Sequence, residues 1–346
     1  MKRVKYGSSN RKIKLKVKYS KLKTNKVKRK KKLNLNYILF LIIAIITICF
    51  CIRKILKFKF IKKEKEKDHY FFCLCAMGRM ENRYARELVS YYLSIGAEKI
   101  VIADNNKPNT ERISDVLQDY ISNKTVDILD IIGQVYDYAQ YDQIMYQKYS
   151  NRCDWLGFFD FDEYLVMHDD TGKNLTVQEY ITNERFNKCE AVQFNWLVTG
   201  DNDLVYYDNR PSIERFTKPN YNNRVNVYVK VLARGGLNKT IFQNYSSCHM
   251  PKKDVITCNS LGKVLNNHGD RVDPPELKYA YLFHFVTRTA EEYYMKSARG
   301  FSGNKTFDYA ERVRTFFRNN KFTEEKLKVF EKLFNRTFPN FRPPVQ

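Results

Sequence analysis

Four short apolar runs recur along the first half of the chain, and their spacing restricts the fold more than any other feature. Tyr70–Met77 (YFFCLCAM), Lys99–Ala103 (KIVIA), Val126–Ile132 and Trp155–Phe159 (WLGFF) are continuous rather than alternating. A strand buried on both faces requires such a run. Between them, Arg83–Ile95 places Leu88, Tyr91, Tyr92 and Ile95 on one helical face, and Gly96 stops it. Arg112–Ile121 and Gln140–Tyr149 also read as helices. The order β-α-β-α-β-α-β predicts an α/β fold with a mainly parallel central sheet. Further strands are expected near Ala191–Leu197 and Val225–Leu232, and helices at Glu291–Arg299 and Glu324–Phe334.

Ligands of such sheets bind beyond the carboxyl ends of the strands. Those ends carry Arg79, Glu81 and Asn82, then Asp104, Asn105 and Asn106, then Asp160, Asp162 and Glu163. No G-x-G-x-x-G or G-x-x-x-x-G-K-S/T follows any of the strands, so neither a dinucleotide site nor a P-loop is indicated. In D-F-D-E, Asp160 and Asp162 project to one side of an extended chain. Two carboxylates there repel unless a cation sits between them. Mg²⁺ or Mn²⁺ would suit, bound by the carboxylates together with phosphate oxygens. The competing reading is a solvated turn with N-capping aspartates.

The net charge of +23 does not belong to this body. Residues 1–67 carry 24 Lys/Arg against two Glu, while the other 279 residues hold 37 against 36. A basic groove for nucleic acid would have to lie in the folded body, so no nucleic-acid partner is expected. Tyr37–Ile52 is an uncharged run of 16 residues, at about 24 Å short of a bilayer core unless Leu35 or Ile55–Leu56 extend it. No small-x-small cleavage site follows Ile52, which favours a retained signal-anchor over a cleaved signal peptide. The expected organisation is a basic cytosolic tail (1–36), a transmembrane segment (37–52), a stem (53–68) and a body (69–346). Sixteen Lys/Arg precede the span and eight follow it, which predicts a single-pass type II membrane protein. Lys57, Lys59, Lys62 and Lys63 are candidates for contact with membrane lipid.

N-x-S/T acceptors stand at Asn123, Asn174, Asn238, Asn244, Asn304 and Asn335. They matter only in a eukaryotic secretory lumen. The eight cysteines show no C-x-x-C pair and no zinc spacing. Cys73 and Cys75 read as core residues on one strand face, and Cys248 and Cys258 bracket a loop that a disulfide would close.

From His69 to about Gly300, roughly two thirds of the chain, the sequence resembles glycosyltransferase family 92 and its bacterial relatives in the broad family 2 group. The pieces that carry the resemblance are MENRYARELVSYYLSIGAEKIVIADNN (80–106), DWLGFFDFDEYL (154–165), AVQFNWLVTG (191–200), PSIERF (211–216), KVL (230–232) and HFVTRTAEEY (284–293). The resemblance implies a GT-A fold over residues 69–346 and a nucleotide-sugar donor, with a UDP-sugar favoured and galactose the sugar suggested by the family. It further implies Mn²⁺ or Mg²⁺, inversion at the anomeric carbon, and a glycan or glycolipid acceptor. Carried over by residue, Asp160 and Asp162 hold the metal and donor diphosphate. Asp104, Asn106 and Arg79 or Glu81 face the nucleotide. His284 is a further metal or phosphate ligand, with a packed histidine as the alternative, and Lys230 and Arg288 are diphosphate candidates. An inverting transfer needs a carboxylate to deprotonate the acceptor; Glu214 is preferred, with Asp201 and Asp203 also placed near the acceptor. Asp-Asn-Asp after WLVTG departs from the family pattern, which puts acceptor recognition in doubt. Trp196 is a candidate platform for a sugar ring. The compartment would be the Golgi in a eukaryote, or the inner or cell membrane in a bacterium. Two alternatives stand beside this reading: a catalytically silent sugar-binding or scaffold protein on the same fold, and a metal-dependent phosphotransferase or nuclease.

Overall fold

The computed structural model describes residues 43–48, 69–133, 138–242, 249–266, 269–299 and 308–344. The chain divides into two compact units, Met1–Lys65 and Glu66–Gln346. In the first, residues 43–48 are helical, and Ile43, Ile45, Ile46 and Ile48 are exposed. Among the described residues, no helix is long and apolar enough to cross a membrane. The tail (1–36), the stem (53–68) and, apart from residues 43–48, the expected span (37–52) lie outside the described residues.

In the second unit, β1 (Tyr70–Gly78), β2 (Lys99–Asp104), β3 (Val126–Asp130) and β4 (Cys153–Phe158) form where continuous apolar runs predict them. Between them come α1 (Asn82–Ser94), the short α2 (Ile113–Val116) and α3 (Gln118–Ser122), and α4 (Tyr138–Tyr149). The side chains of β1 alternate. Phe72, Leu74 and Ala76 pack with Leu88, Val89 and Tyr92 of α1, while Cys73 and Cys75 pack with Tyr141, Met145 and Tyr149 of α4. Two cores on opposite faces of one sheet follow from that period of two.

The expectation of a mainly parallel sheet holds for β3-β2-β1-β4 and fails beyond β4. The described strands run in the order β3-β2-β1-β4-β7-β6-β9-β5. These add β5 (Glu163–Met167), β6 (Ala191–Val198), β7 (Val229–Arg234) and β9 (Ala280–His284), with β8 (Thr257–Asn259) beside β6. The β4–β7, β7–β6 and β9–β5 pairs are antiparallel, whereas β6–β9 and β6–β8 are parallel. The sheet is therefore mixed. Val225–Val227, expected to open β7, instead belong to a 3₁₀ turn, Arg224–Val227. That turn is anchored by Asn223, whose side chain accepts from Val225 N at 3.1 Å.

The antiparallel strands bring functional ends together. Phe158 of β4 is opposite Val231 of β7, and Glu163 of β5 is opposite His284 of β9. The start of β7, the end of β9 and the D-F-D-E turn thus share the edge formed by the carboxyl ends of β1 and β2. Two short helices lie between the strands of this half. Thr176 caps α5 (Val177–Ile181), and α6 (Ser212–Arg215) follows Pro211. A C-terminal layer of α7 (Ala290–Ala298), α8 (Tyr309–Asn319) and α9 (Glu324–Phe334) packs Tyr293, Phe316 and Phe330 together.

Disulfides link Cys73 to Cys153 and Cys189 to Cys258. The Cys248–Cys258 bridge that the sequence allowed does not form: Cys258 pairs with Cys189, because β8 lies alongside β6 just after Cys189, and Cys248 lies outside the described residues. Cys73 is not a plain core thiol, since β4 brings Cys153 beside it; Cys75 stays free and buried. The two bridges span sequence separations of 80 and 69 residues. By loop entropy each should stabilise the fold by about 4 kcal/mol. Urea unfolding of Cys73→Ser/Cys153→Ser and Cys189→Ser/Cys258→Ser variants should show losses of that order, and a midpoint unchanged in both would remove the bridges from the account.

Candidate active site

The D-F-D-E turn is held from below before it offers any chemistry. Glu163 N donates to Asp160 O at 3.0 Å, and Asp160 N donates to the Glu163 carboxylate at 2.8 Å. Phe161 points into the core beneath Gly78, where a Cβ would lie 2.9 Å from the Phe161 ring and 2.5 Å from Ile113 Cδ1. Only glycine leaves the end of β1 that close to the turn. Phe285 N donates to Asp162 O at 2.9 Å and Tyr92 Oη to Glu163 O at 2.9 Å, which fastens the turn to β9 and α1.

Each aspartate is then matched with a lysine. Lys230 Nζ lies 2.7 Å from Asp160 Oδ2 and 3.6 Å from Glu163 Oε2. Lys296 Nζ lies 2.5 Å from Asp162 Oδ2 and also donates to Val286 O at 3.0 Å. His284 Nε2 stands 3.5 Å from the same Asp162 oxygen. Burial pushes the carboxyl of Asp162 up, but Lys296 and then His284 more than offset it, so it lies well below the usual range. Asp160 is lowered in the same way, burial being outweighed chiefly by Lys230. Glu163 is fully buried and goes the other way. Burial lifts it to about 8, against the pull of Lys230 and with the push of Asp160 and Asp162.

Two histidines flank an indole here. The Trp196 ring centroid lies 4.4 Å from His284 and 5.5 Å from His249. The His249 imidazole is held by the Val229 carbonyl and is pushed down to about 3 by burial and by Lys230. Trp196 therefore packs between histidines, although it keeps a partly exposed surface.

A second ionic layer lies behind the pair. Glu81 accepts from Arg299 and faces Arg288 at 3.6 Å. Arg288 has a left-handed backbone (φ 53°) and lays its guanidinium 3.5 Å from the centroid of the Tyr84 ring. Tyr84 Oη donates to Glu292 at 2.8 Å, and Glu292 accepts a bidentate pair from the buried Arg215 at 2.8 and 2.9 Å.

The structure brings Glu81, Asp160, Asp162, Lys230, His284 and Arg288 into this one network. Arg79 joins through its carbonyl, which accepts from Arg299 at 2.9 Å. Asp104 and Asn106 brace the neighbouring loops. Asp104 accepts from Asn106 N and Ile113 N at 3.0 Å each, and Asn106 receives Met80 N and donates to Asn82 at 2.8 Å. Asp201 is committed elsewhere: it is buried 2.6 Å from Lys326 of α9, with Asp203 3.9 Å from the same ammonium. Glu214 is exposed on α6, next to the Arg215 that serves Glu292.

Sequence reasoning missed Lys296, Arg299, Glu292, Tyr84 and His249. A signal for three of them was present. Thr289-x-x-Glu292 is a capping box, and Glu292, Lys296 and Arg299 follow at helical spacing on one face. His249 carries no comparable signal, because its position depends on the Gln193 side chain donating to the His249 carbonyl at 2.8 Å.

Fit to a divalent cation can be judged from the donors. Asp160, Asp162 and His284 supply hard oxygens and one imidazole nitrogen, a set that suits Mn²⁺. Asp162 Oδ2 and His284 Nε2 are spaced as neighbouring ligands would be. Among the described residues no three His, Cys, Asp or Glu already stand in a ligating group, and the two lysines hold the carboxylates. Four buried nitrogens around this edge, Arg79 Nε, Trp196 Nε1, His284 Nδ1 and Arg288 Nε, have no hydrogen-bond partner among the described residues. The residues fit a cation with an anionic ligand, provided the lysines turn from the aspartates.

Fold and site together define a mixed α/β protein whose sheet edge gathers paired carboxylates and cations. The chain belongs to glycosyltransferase family 92, whose family model matches residues 68–268. Over 116 residues it is 32% identical to a family 92 protein of Ricinus communis, a match covering 32% of this chain and 19% of that protein. A family 92 protein of Oryza sativa subsp. japonica is 27% identical over 115 residues, 32% of this chain and 18% of the relative. The matched stretch thus spans about a fifth of these relatives. Among solved structures, S. aureus TarS has 12% identity and a TM-score of 0.36 over 79% of this chain and 44% of that one. Its 1–349 fragment in complex with UDP gives 11% and 0.35 over 77% and 71%. TM-scores this low carry no functional weight.

The second layer gives a test of its own. The Glu292 carboxyl is held below its ordinary 4.5, burial being outweighed by Arg215. The stabilisation is therefore full above that value and is lost as pH falls through the lowered one. Glu292→Gln should cost roughly 3–5 kcal/mol at neutral pH and flatten the acid limb of a stability–pH profile. A wild-type acid limb retained in the variant would contradict this.

Proposed function

We propose that this protein transfers a sugar from a nucleotide-sugar donor to a glycan or glycolipid acceptor on a GT-A-type domain. Family membership and one observation carry this reading: two neighbouring aspartates at the carboxyl edge of a sheet, one matched to the buried Lys230 and the other to the half-buried Lys296. Asp160, Asp162 and His284 are the residues that would hold Mn²⁺ or Mg²⁺. When bound, that ion would supply charge neutralisation for the leaving diphosphate. Lys230 and Lys296 add positive charge at the same place, and Arg288 is fixed behind them by Glu81 and Tyr84. Burial lifts the Glu163 carboxyl to about 8, which disfavours a third negative charge beside the diphosphate.

The transfer is inverting in this reading, with Glu214 as the base that takes the acceptor proton. Glu214 is exposed and able to meet an acceptor, whereas Asp201 is buried with its Oδ2 2.6 Å from Lys326 Nζ. A UDP-sugar is the proposed donor class, with galactose the sugar first tried. The nuclease alternative draws no support from a near-neutral body.

The body is assigned to an oxidising compartment on the strength of its two disulfides. That agrees with a type II anchor at 37–52 and a cytosolic basic tail, in the Golgi of a eukaryote or at the cell membrane of a bacterium. Asn123, Asn174, Asn238 and Asn335 are all exposed, as glycan acceptors must be.

The test is sugar transfer with Mn²⁺, with EDTA, and by Asp162→Ala with circular dichroism as a folding control. Activity should vanish in EDTA and fall by ~10²–10³ in the variant. Undiminished turnover in both would sink the metal role. Glycan binding without any nucleoside-diphosphate binding would favour a silent sugar-binding protein instead.

A further inference from the structure

The two lysines do more than hold the turn in shape. Asp160 with Lys230 and Asp162 with Lys296 make a four-charge group that sums to zero. Lys230 and Asp162 are buried, Lys296 is only 19% exposed, and Asp160, at 39%, is the member open to solvent. A group with three enclosed members does not tolerate an added net charge cheaply. A divalent cation alone would leave it with two extra positive charges. A nucleoside diphosphate ester alone would leave two extra negative ones. Both together keep it neutral, if the carboxylates pass from the ammonium groups to the cation and the ammonium groups pass to the phosphates.

Other cations of the site are less able to make that exchange. Arg288 and Arg299 both face Glu81, and the Arg288 guanidinium is clamped on Tyr84. Lys296 is different. It sits near the end of α7 on a flexible stem, and its other bond is to a single carbonyl, Val286 O. An ammonium on four methylenes can swing where a guanidinium fork cannot.

We propose that Lys296, with Lys230, is an exchangeable counter-cation that couples metal binding to nucleotide binding. In the free protein it occupies Asp162 and suppresses binding of metal alone. When donor and cation arrive together it transfers to the diphosphate. Lys296 is a positioning and charge-balancing residue in this scheme, which rests on the nucleotide-sugar reading above.

Charge arithmetic gives the signature. Removing Lys296 leaves the empty group with one net negative charge. Metal alone should then bind better, and diphosphate alone worse. A lysine that merely props up the fold would weaken both.

The experiment uses the full chain in detergent. Mn²⁺ binding is read by electron paramagnetic resonance with and without UDP or GDP, and nucleotide binding by calorimetry with Mn²⁺ or with EDTA. For wild type, nucleotide should tighten Mn²⁺ and Mn²⁺ should tighten nucleotide by one common factor. Lys296→Met should bind Mn²⁺ alone about tenfold more tightly and nucleotide in EDTA about tenfold more weakly. The common factor should also shrink. Lys296→Gln keeps a donor for Asp162 and Val286 O, guards against a folding defect in the methionine variant, and should shift both affinities in the same directions. Lys296→Arg keeps the charge and should not tighten Mn²⁺. Unchanged or weaker Mn²⁺ binding in both neutral variants would overturn the exchange while leaving the donor reading intact. A folded wild type that binds neither Mn²⁺ nor nucleotide would overturn both.

Discussion

The match of Asp160 to Lys230 and of Asp162 to Lys296 is the interaction on which the rest of the body depends. Two carboxylates two residues apart at the end of a buried strand repel each other and resist desolvation. The fold accepts them because two other elements deliver ammonium groups. β7 runs back antiparallel beside β4 and so places Lys230 at the turn, and α7 places Lys296. A uniformly parallel sheet would not begin a strand at this edge. The mixed topology is therefore tied to the chemistry of the site.

Behind that pair, glycine and arginine set the geometry. Gly78 lets Phe161 pass under β1, between Asp160 and Asp162 in the turn. The chain of Glu81, Arg288, Tyr84, Glu292 and Arg215 links the loop after β1 to α7 and α6. Its members are nearly all buried, so loss of one leaves an uncompensated charge. The same α7 that carries Glu292 in this chain carries Lys296 in the site and Arg299 on Glu81. Stability and function share one helix face.

Much of the first half was legible because buried parallel strands are continuous apolar runs, and β1 to β4 each read that way. The second half was harder for a physical reason. β5 (EYLVM) begins one residue after D-F-D, and β9 (AYLFH) is five residues long and runs into the loop before Thr289, so neither is bounded by clear turn residues. The aspartate pair stood out because charges are rare at the end of an apolar run. Lys230 was found through KVL, but Lys296 was missed despite its capping box. A partner so distant in sequence is visible only once the helix is docked. Disulfide pairing has the same character: Cys189–Cys258 needs β8 beside β6.

The central claim is that the D-F-D edge receives a donor diphosphate. Crystals soaked with UDP and Mn²⁺ test it most directly. Phosphate density is expected within hydrogen-bond reach of Lys230 and Lys296, with the metal on Asp160 and Asp162. Nucleotide density elsewhere, for instance in the cavity of about 450 Å³ lined by Tyr206, Glu291 and Lys328, with both lysines still on their aspartates, would contradict it.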